Sequence, residues 1–300
     1  MTFRIMVAGA TGQVARCLAA TNLAEGVELQ TFGRPALDIA DEQSVRRVVA
    51  EYGPDIVINA AAYTAVDMAE TERDIAAAVN AKGAGYLAEA ASSIGAPILH
   101  ISTDYVFDGS KPAPYIESDP VAPLGAYGQT KYAGELAVAA ANANHVILRT
   151  AWVYSAHGKN FVKTMLRLAE SRDEVSVVAD QYGSPTYAPD IAATLIAITD
   201  LYRADQDALK RGVFHMVGSG EANWAVFAEG IFELSGKRGG PTATVNHIST
   251  AEYPTPAARP KNSRLGGTRL KNQYNLSLPS WTDSLALCID ELDQQRKQTS

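Results

Sequence analysis

The chain has 300 residues, with 33 acidic and 26 basic side chains giving a formal charge of −7, and 47% of its residues are hydrophobic. That balance is ordinary for a globular protein, leaves room for a sizeable core, and shows no basic patch that would recommend a nucleic-acid partner. Cys17 and Cys288 stand at opposite ends of the chain, which argues against a disulfide framework or a cysteine-held metal and suits a reducing cytoplasm.

In chain order, Phe3 to Ala8 is a short apolar run stopped by Gly9, too short for a signal segment or a membrane span. A cytoplasmic protein without membrane contact is therefore expected. Apolar, β-branched runs predict strands at about 3–8, 27–32, 55–61, 96–102 and 146–151, separated by stretches of helical character. Asp41 can cap a helix running through Val45, Val48 and Val49, and Gly53-Pro54 supplies its stop. Beyond Tyr154 the expectations are a helix at 160–171, a strand at 175–179, a helix near 190–202 and a strand at 213–217. Proline and glycine then crowd the segment from Gly236 to Gly267, which reads as extended, irregular structure around a site. The fold class is α/β: a Rossmann-type doubly wound parallel sheet with a smaller C-terminal substrate-binding lobe. Residues 1–154 form the dinucleotide-binding part, segments near 175–217 return to it, and 155–300 is mainly the second lobe.

Gly9-Ala10-Thr11-Gly12-Gln13-Val14-Ala15 directly follows the first strand and opens a helix. In that position a glycine turn lets backbone N–H groups approach a pyrophosphate. At the end of the second strand, NAD enzymes of this architecture place a carboxylate on the adenosine ribose. Here Gly33 and Arg34 stand instead, and a guanidinium suits a 2′-phosphate, so NADP(H) is preferred while NAD(H) stays open.

Tyr127-Gly128-Gln129-Thr130-Lys131 puts a phenol and an ammonium on one helix face. A nearby cation favours the phenolate, which would bring Tyr127 toward the range useful in acid–base catalysis. The spacing alone is weak evidence, since this composition supplies roughly 0.4 such pairs by chance. Thr103, at the end of the fourth strand where ligands bind in such sheets, adds a hydroxyl that can bond the same oxygen. The three features in the right order point to a ketone reductase.

With these motifs the chain resembles the extended short-chain dehydrogenase/reductases, nearly end to end, and within them the branch that reduces a 4-keto dTDP-deoxysugar for surface polysaccharide. The specific blocks are Asn59 to Asp67, Ser102 to Phe107, Arg149 to Tyr154, Asp180 to Thr186 and Pro256 to Pro260. The resemblance implies Gly12, Gln13 and Val14 at the pyrophosphate, Gly33 and Arg34 by the adenosine ribose, and Asp38 and Ile39 by the adenine. Ala62, Tyr63 and Thr64 line its other side, Thr103, Asp104 and Trp152 hold the dTDP-sugar, and Tyr127 with Lys131 performs catalysis while Lys131 also bonds the nicotinamide ribose. Some relatives use Mg²⁺ through glutamates at a dimer contact. The position aligned with one of them is Ala15, so no metal ligand is assigned, and Mg²⁺ and a homodimer stay open. Sugar-nucleotide dehydratases carry Asp-Glu after the strand-end threonine, whereas this chain has Asp104-Tyr105 and lacks that base. A reductase of another 4-keto-deoxysugar nucleotide and a non-catalytic NADP-binding regulatory subunit are the remaining alternatives.

Overall fold

The structure is a computed structural model and describes residues 2–299. Strands β1 (Phe3–Ala8), β2 (Val27–Phe32), β3 (Ile56–Asn59), β4 (Ile98–Thr103) and β5 (His145–Thr150) join a later strand in one six-stranded sheet, in which each recorded pairing is parallel. A parallel sheet is covered on both faces, so its strands are continuously apolar rather than alternating. Ile5, Val7, Ile58, Leu99 and Leu148 pack toward α1 (Gln13–Ala19), while Met6, Val57, Ile98 and Ile147 pack toward the opposite layer. That layer comprises α2 (Glu42–Tyr52), α3 (Arg73–Ala77) continuing through a π-helical stretch (Ala78–Gly83) into α4 (Ala84–Ser93), and α5 (Ala126–Ala141).

Local signals place these elements. Asp41 Oδ1 accepts from the backbone N–H groups of Gln43 and Ser44 at 2.9 and 3.3 Å and starts α2; Gly53, at φ 60°, ends it. β3 is shorter than the apolar run because the Asn59 side chain accepts from Ala61 N at 3.1 Å and turns the chain out of the sheet.

After β5 come β6 (Val153–Tyr154), α6 (Phe161–Ala169), β7 (Glu174–Val178), β8 (Tyr182–Gly183) and β9 (Thr186–Tyr187). Next, α7 (Ala188–Ala204) packs beside α1, and β10 (Gly212–His215) adds to the sheet edge beside β5, giving the order β10-β5-β4-β3-β1-β2. β11 (Ala222–Asn223), α8 (Trp224–Gly236), β12 (Thr244–Ile248), α9 (Thr268–Tyr274) and α10 (Trp281–Thr299) complete the chain.

Two features differ from the sequence expectations. The strand at 174–178 pairs in parallel with β12 rather than joining the central sheet, and β12 lies inside the segment expected to be irregular. Its Thr-Val-Asn-His-Ile run carries too few apolar residues to stand out, because most of the strand is exposed. The C-terminal residues also build a core of their own, in which Val162, Met165, Phe227, Ile231, Trp281 and Leu285 bring α6, α8 and α10 together.

Helix α5 sits unusually close to its neighbours. A Cβ on Gly134 would lie 2.1 Å from the Asn80 carbonyl oxygen in the π-helical stretch. Gly134→Ala must push α5 away, and we expect a loss of about 1–3 kcal/mol in urea unfolding. An unchanged midpoint would show that this contact is soft.

Candidate active site

The C-terminal ends of β1, β3, β4 and β5 open into a cavity of about 550 Å³. Its walls include Thr11 to Val14 from the glycine turn, Ala60 to Ala62 and Thr64 after β3, Ile101 to Tyr105, Tyr127 and Lys131 of α5, and Thr150 to Val153. A larger cavity of about 730 Å³ lies between α6, α8 and α10 and shares Gly158 and Lys159 with the first. The groups suited to chemistry converge in the smaller one.

The glycine turn is shaped as a cradle. Gly9 has φ +108°, and a Cβ there would stand 3.1 Å from the backbone of Ala60 and Ala61, so the close approach of β1 and β3 requires glycine. Gly12 precedes α1 in extended conformation, no side chain caps the helix, and a Cβ at Gly12 would point into open space. A bound pyrophosphate fits this open, uncapped turn. The Gln13 side chain braces the chain after β5: Nε2 donates to the Val153 carbonyl at 3.3 Å, and Oε1 accepts from Ser155 and Asn160 at 2.8 and 2.9 Å.

On α5, Tyr127 is half-buried and its ring meets the edge of Tyr105 at 5.5 Å. Burial pushes the phenol up to about 12, and the neighbouring Thr103 hydroxyl pulls it the other way. Lys131 is buried and donates from Nζ to the Ile101 carbonyl at 2.7 Å. Burial lowers its ammonium to about 8, opposed by the Glu135 carboxylate one helical turn on. The shift of the Tyr127 phenol is thus opposite in direction to the lowering expected from a neighbouring ammonium. Burial and then the Asp104 carboxylate raise the phenol, while the ammonium is engaged with the β4 backbone.

Thr103 Oγ1 accepts from Tyr105 N at 3.2 Å and donates to Asp104 Oδ1 at 2.9 Å. Asp104 Oδ2 is buried and meets no hydrogen-bond geometry, although the Ser263 hydroxyl lies near enough to lower the carboxyl. Burial raises this carboxyl to about 6, against the opposing pull of neighbouring hydroxyls and backbone N–H groups. Trp152 takes φ +47°, and its ring is stacked on Trp224 at 3.4 Å, with interplanar angle 6°. A Cβ on Gly183 would lie 2.2 Å from Trp152 Cε2, so the ring also lies against that backbone.

Thus Gly12, Gln13, Val14, Ala62, Thr64, Thr103, Asp104, Tyr127, Lys131 and Trp152 share one cavity wall. Gly9 shapes the turn from behind. Gly33, Arg34, Asp38, Ile39 and Tyr63 do not line it. Gly33 packs on Ala10, where a Cβ would be 3.0 Å from the alanine methyl, and Arg34 is exposed beyond it. Asp38 Oδ1 accepts from Ala40 N at 3.0 Å, Ile39 is buried in the core, and Tyr63 donates to Glu72 at 2.7 Å. Sequence reasoning missed Thr150, Val66 and Lys159, which also line the cavity. Thr150 ends its strand in register with Thr103, so the rule that selected Thr103 could have found it. Among the described residues no group of three or more His, Cys, Asp or Glu could hold a metal ion, and no helix is long and apolar enough to cross a membrane.

The family described as the RmlD substrate binding domain matches residues 3–294. The chain belongs to the RmlD substrate binding domain family. Among RmlD-type relatives, the dTDP-4-dehydrorhamnose reductase of Sinorhizobium fredii is 50% identical over 94% of this chain and 95% of its own. The crystal structure of dTDP-4-dehydrorhamnose reductase from Bacillus anthracis in complex with NADP has a TM-score of 0.90 and 40% identity, covering 97% of this chain and all of that one. UDP-glucose 4-epimerase from Thermus thermophilus, at 19% identity and a TM-score of 0.76 over 97% of this chain and 99% of its own, shares the RmlD-type fold.

The raised Asp104 carboxyl has a consequence for stability. Between pH 4 and 6 the folded protein binds more protons at this group than the unfolded chain does, so charging it as pH rises lowers stability. Asp104→Asn removes that penalty. Relative to wild type, the variant should gain about 2–3 kcal/mol in chemical unfolding as pH rises from about 4 to 7. A pH-independent difference would contradict the assigned shift.

Proposed function

We propose that this protein reduces the C4 ketone of dTDP-4-dehydro-6-deoxy-L-mannose (dTDP-4-dehydro-β-L-rhamnose) to dTDP-L-rhamnose with NADPH, in the making of surface polysaccharide. The observation that carries the reading is the convergence of Thr103, Tyr127 and Lys131 with the glycine turn in one cavity. The names of relatives that match nearly the whole chain supply the substrate class.

NADPH, when bound, supplies the hydride. The chain's residues do the rest. Gly9 to Val14 take the pyrophosphate on backbone N–H groups, and Arg34, exposed at the end of β2, meets the 2′-phosphate. NAD(H) lacks that phosphate and is the poorer cofactor. Tyr127 donates its proton to the oxygen of the ketone as negative charge develops there. Thr103 bonds the same oxygen, and Lys131 orients the ribose and stabilises the phenolate left behind. Asp104 Oδ2, a buried acceptor without a partner, takes a sugar hydroxyl. The nucleotide carrier contributes remote binding energy that positions the ketone.

Turnover is followed as NADPH consumption with the keto sugar nucleotide. Tyr127→Phe should lower kcat by about 10²–10⁴-fold while NADPH still binds. A wild-type protein inert toward every 4-keto sugar nucleotide, yet tightly bound to another enzyme, would replace this reading with a regulatory one. Arg34→Ala should raise the KM for NADPH by about tenfold and leave that for NADH nearly unchanged, because only one cofactor offers the phosphate. Equal effects on both would remove Arg34 from cofactor selection.

A further inference from the structure

Among the described residues, six buried side-chain polar atoms lack a hydrogen-bond partner, and two belong to residues lining the catalytic cavity: Asp104 Oδ2 and Thr150 Oγ1. Asp104 is already placed toward the sugar. Thr150 has no role so far. The residue is 5% exposed, and a buried hydroxyl without a partner is costly unless a ligand completes it.

Its position indicates which ligand. Thr150 ends β5 and is the register partner of Thr103 on β4. Val146 and Leu148 share its strand face and pack in the cluster that holds Val14, Ala15 and Leu18 of α1, whereas Arg149 turns to Glu135 on the α5 side. The segment after Thr150 is tied to the glycine turn through Gln13, which bonds Val153 and Ser155. In the strand order β2-β1-β3-β4-β5, a dinucleotide with its adenosine at β2 and its pyrophosphate at the turn after β1, passing Lys131, bonded to β4, brings its last ring to the end of β5.

We infer that Thr150 Oγ1 hydrogen-bonds the carboxamide of the nicotinamide ring and so orients that ring in the cavity. This rests on the NADP(H) reading above. A hydroxyl both donates and accepts, and matches either end of a carboxamide. Thr150 is a cofactor-positioning residue and takes no part in proton transfer.

The test uses binding rather than turnover. Calorimetry compares NADPH with adenosine 2′,5′-bisphosphate, which keeps the phosphate-bearing half and lacks the nicotinamide. Thr150→Val preserves shape and should weaken NADPH about 5–20-fold, leave the bisphosphate within about twofold, and be rescued by Thr150→Ser. Equal weakening of both ligands, or none of either, would overturn the assignment. A raised KM for the sugar nucleotide with NADPH binding unchanged would move the hydroxyl to the sugar and also overturn it. Failure of the wild-type protein to bind either ligand would instead refute the cofactor reading itself.

Discussion

The buried ion pair between Glu135 and Arg149 is the constraint on which the site depends. Arg149 Nε and Nη2 reach the two carboxylate oxygens at 2.8 and 2.6 Å, and Ser102 adds a hydroxyl at 2.5 Å. Each partner of the pair is 3% exposed. Removing one would strand the other charge, at a cost of about 3–5 kcal/mol, so the pair acts less as net stabilisation than as a demand for one geometry. That geometry joins α5 to β4 and β5 at once. Lys131 lies one turn before Glu135 and Tyr127 one turn before that, so fixing the helix rotation at Glu135 fixes both catalytic candidates.

Close backbone packing supplies the complementary constraint. A Cβ on Gly128 would stand 2.1 Å from the Tyr105 carbonyl, so the residue after Tyr127 lets α5 rest directly on the chain following β4. On the other side the π-helical stretch presents Asn80, whose Nδ2 donates to the Tyr63 carbonyl and the Thr130 hydroxyl, both at 3.1 Å. Asn80 Oδ1 accepts from Tyr63 N at 2.8 Å. One side chain thereby ties the loop after β3 to the residue before Lys131. Single π turns are often found at functional sites, and here the extra residue lets one helix serve both neighbours.

The central sheet was legible because burial on both faces writes each strand as an apolar run, and α2 because Asp41 and Gly53 mark its ends chemically. Tyr127, Lys131 and Thr103 were legible as residue types at a spacing and at a strand end. Other features have no such local mark. β12 is held by its ladder to β7 and packing of α8 beneath it, and little of its own sequence is apolar. Trp152 is placed by a positive φ and by contacts with Gly183 and Trp224, distant in sequence. The strap from Pro256 to Pro260 reads as proline-rich irregularity, yet Arg259 grips Asp67 through two hydrogen bonds of 3.0 and 2.9 Å, and Ala257 N adds a third at 3.1 Å. Those partners are about 190 positions away, beyond the reach of any pattern in a window of sequence.

The largest departure from expectation concerns the proton. A Tyr-x-x-x-Lys pair suggests a phenol made acidic by its neighbour, but here the ammonium bonds the Ile101 carbonyl and burial holds the phenol near 12. Burial thus moves the phenol up and the ammonium down, each away from its charged form. A phenol that is protonated before the reaction is the form needed to quench a developing alkoxide, whereas oxidation of an alcohol would need the phenolate. Any acidity required at the moment of transfer must come from the groups that a bound ribose and ketone bring within reach of Tyr127, and from the Lys131 charge held beneath them.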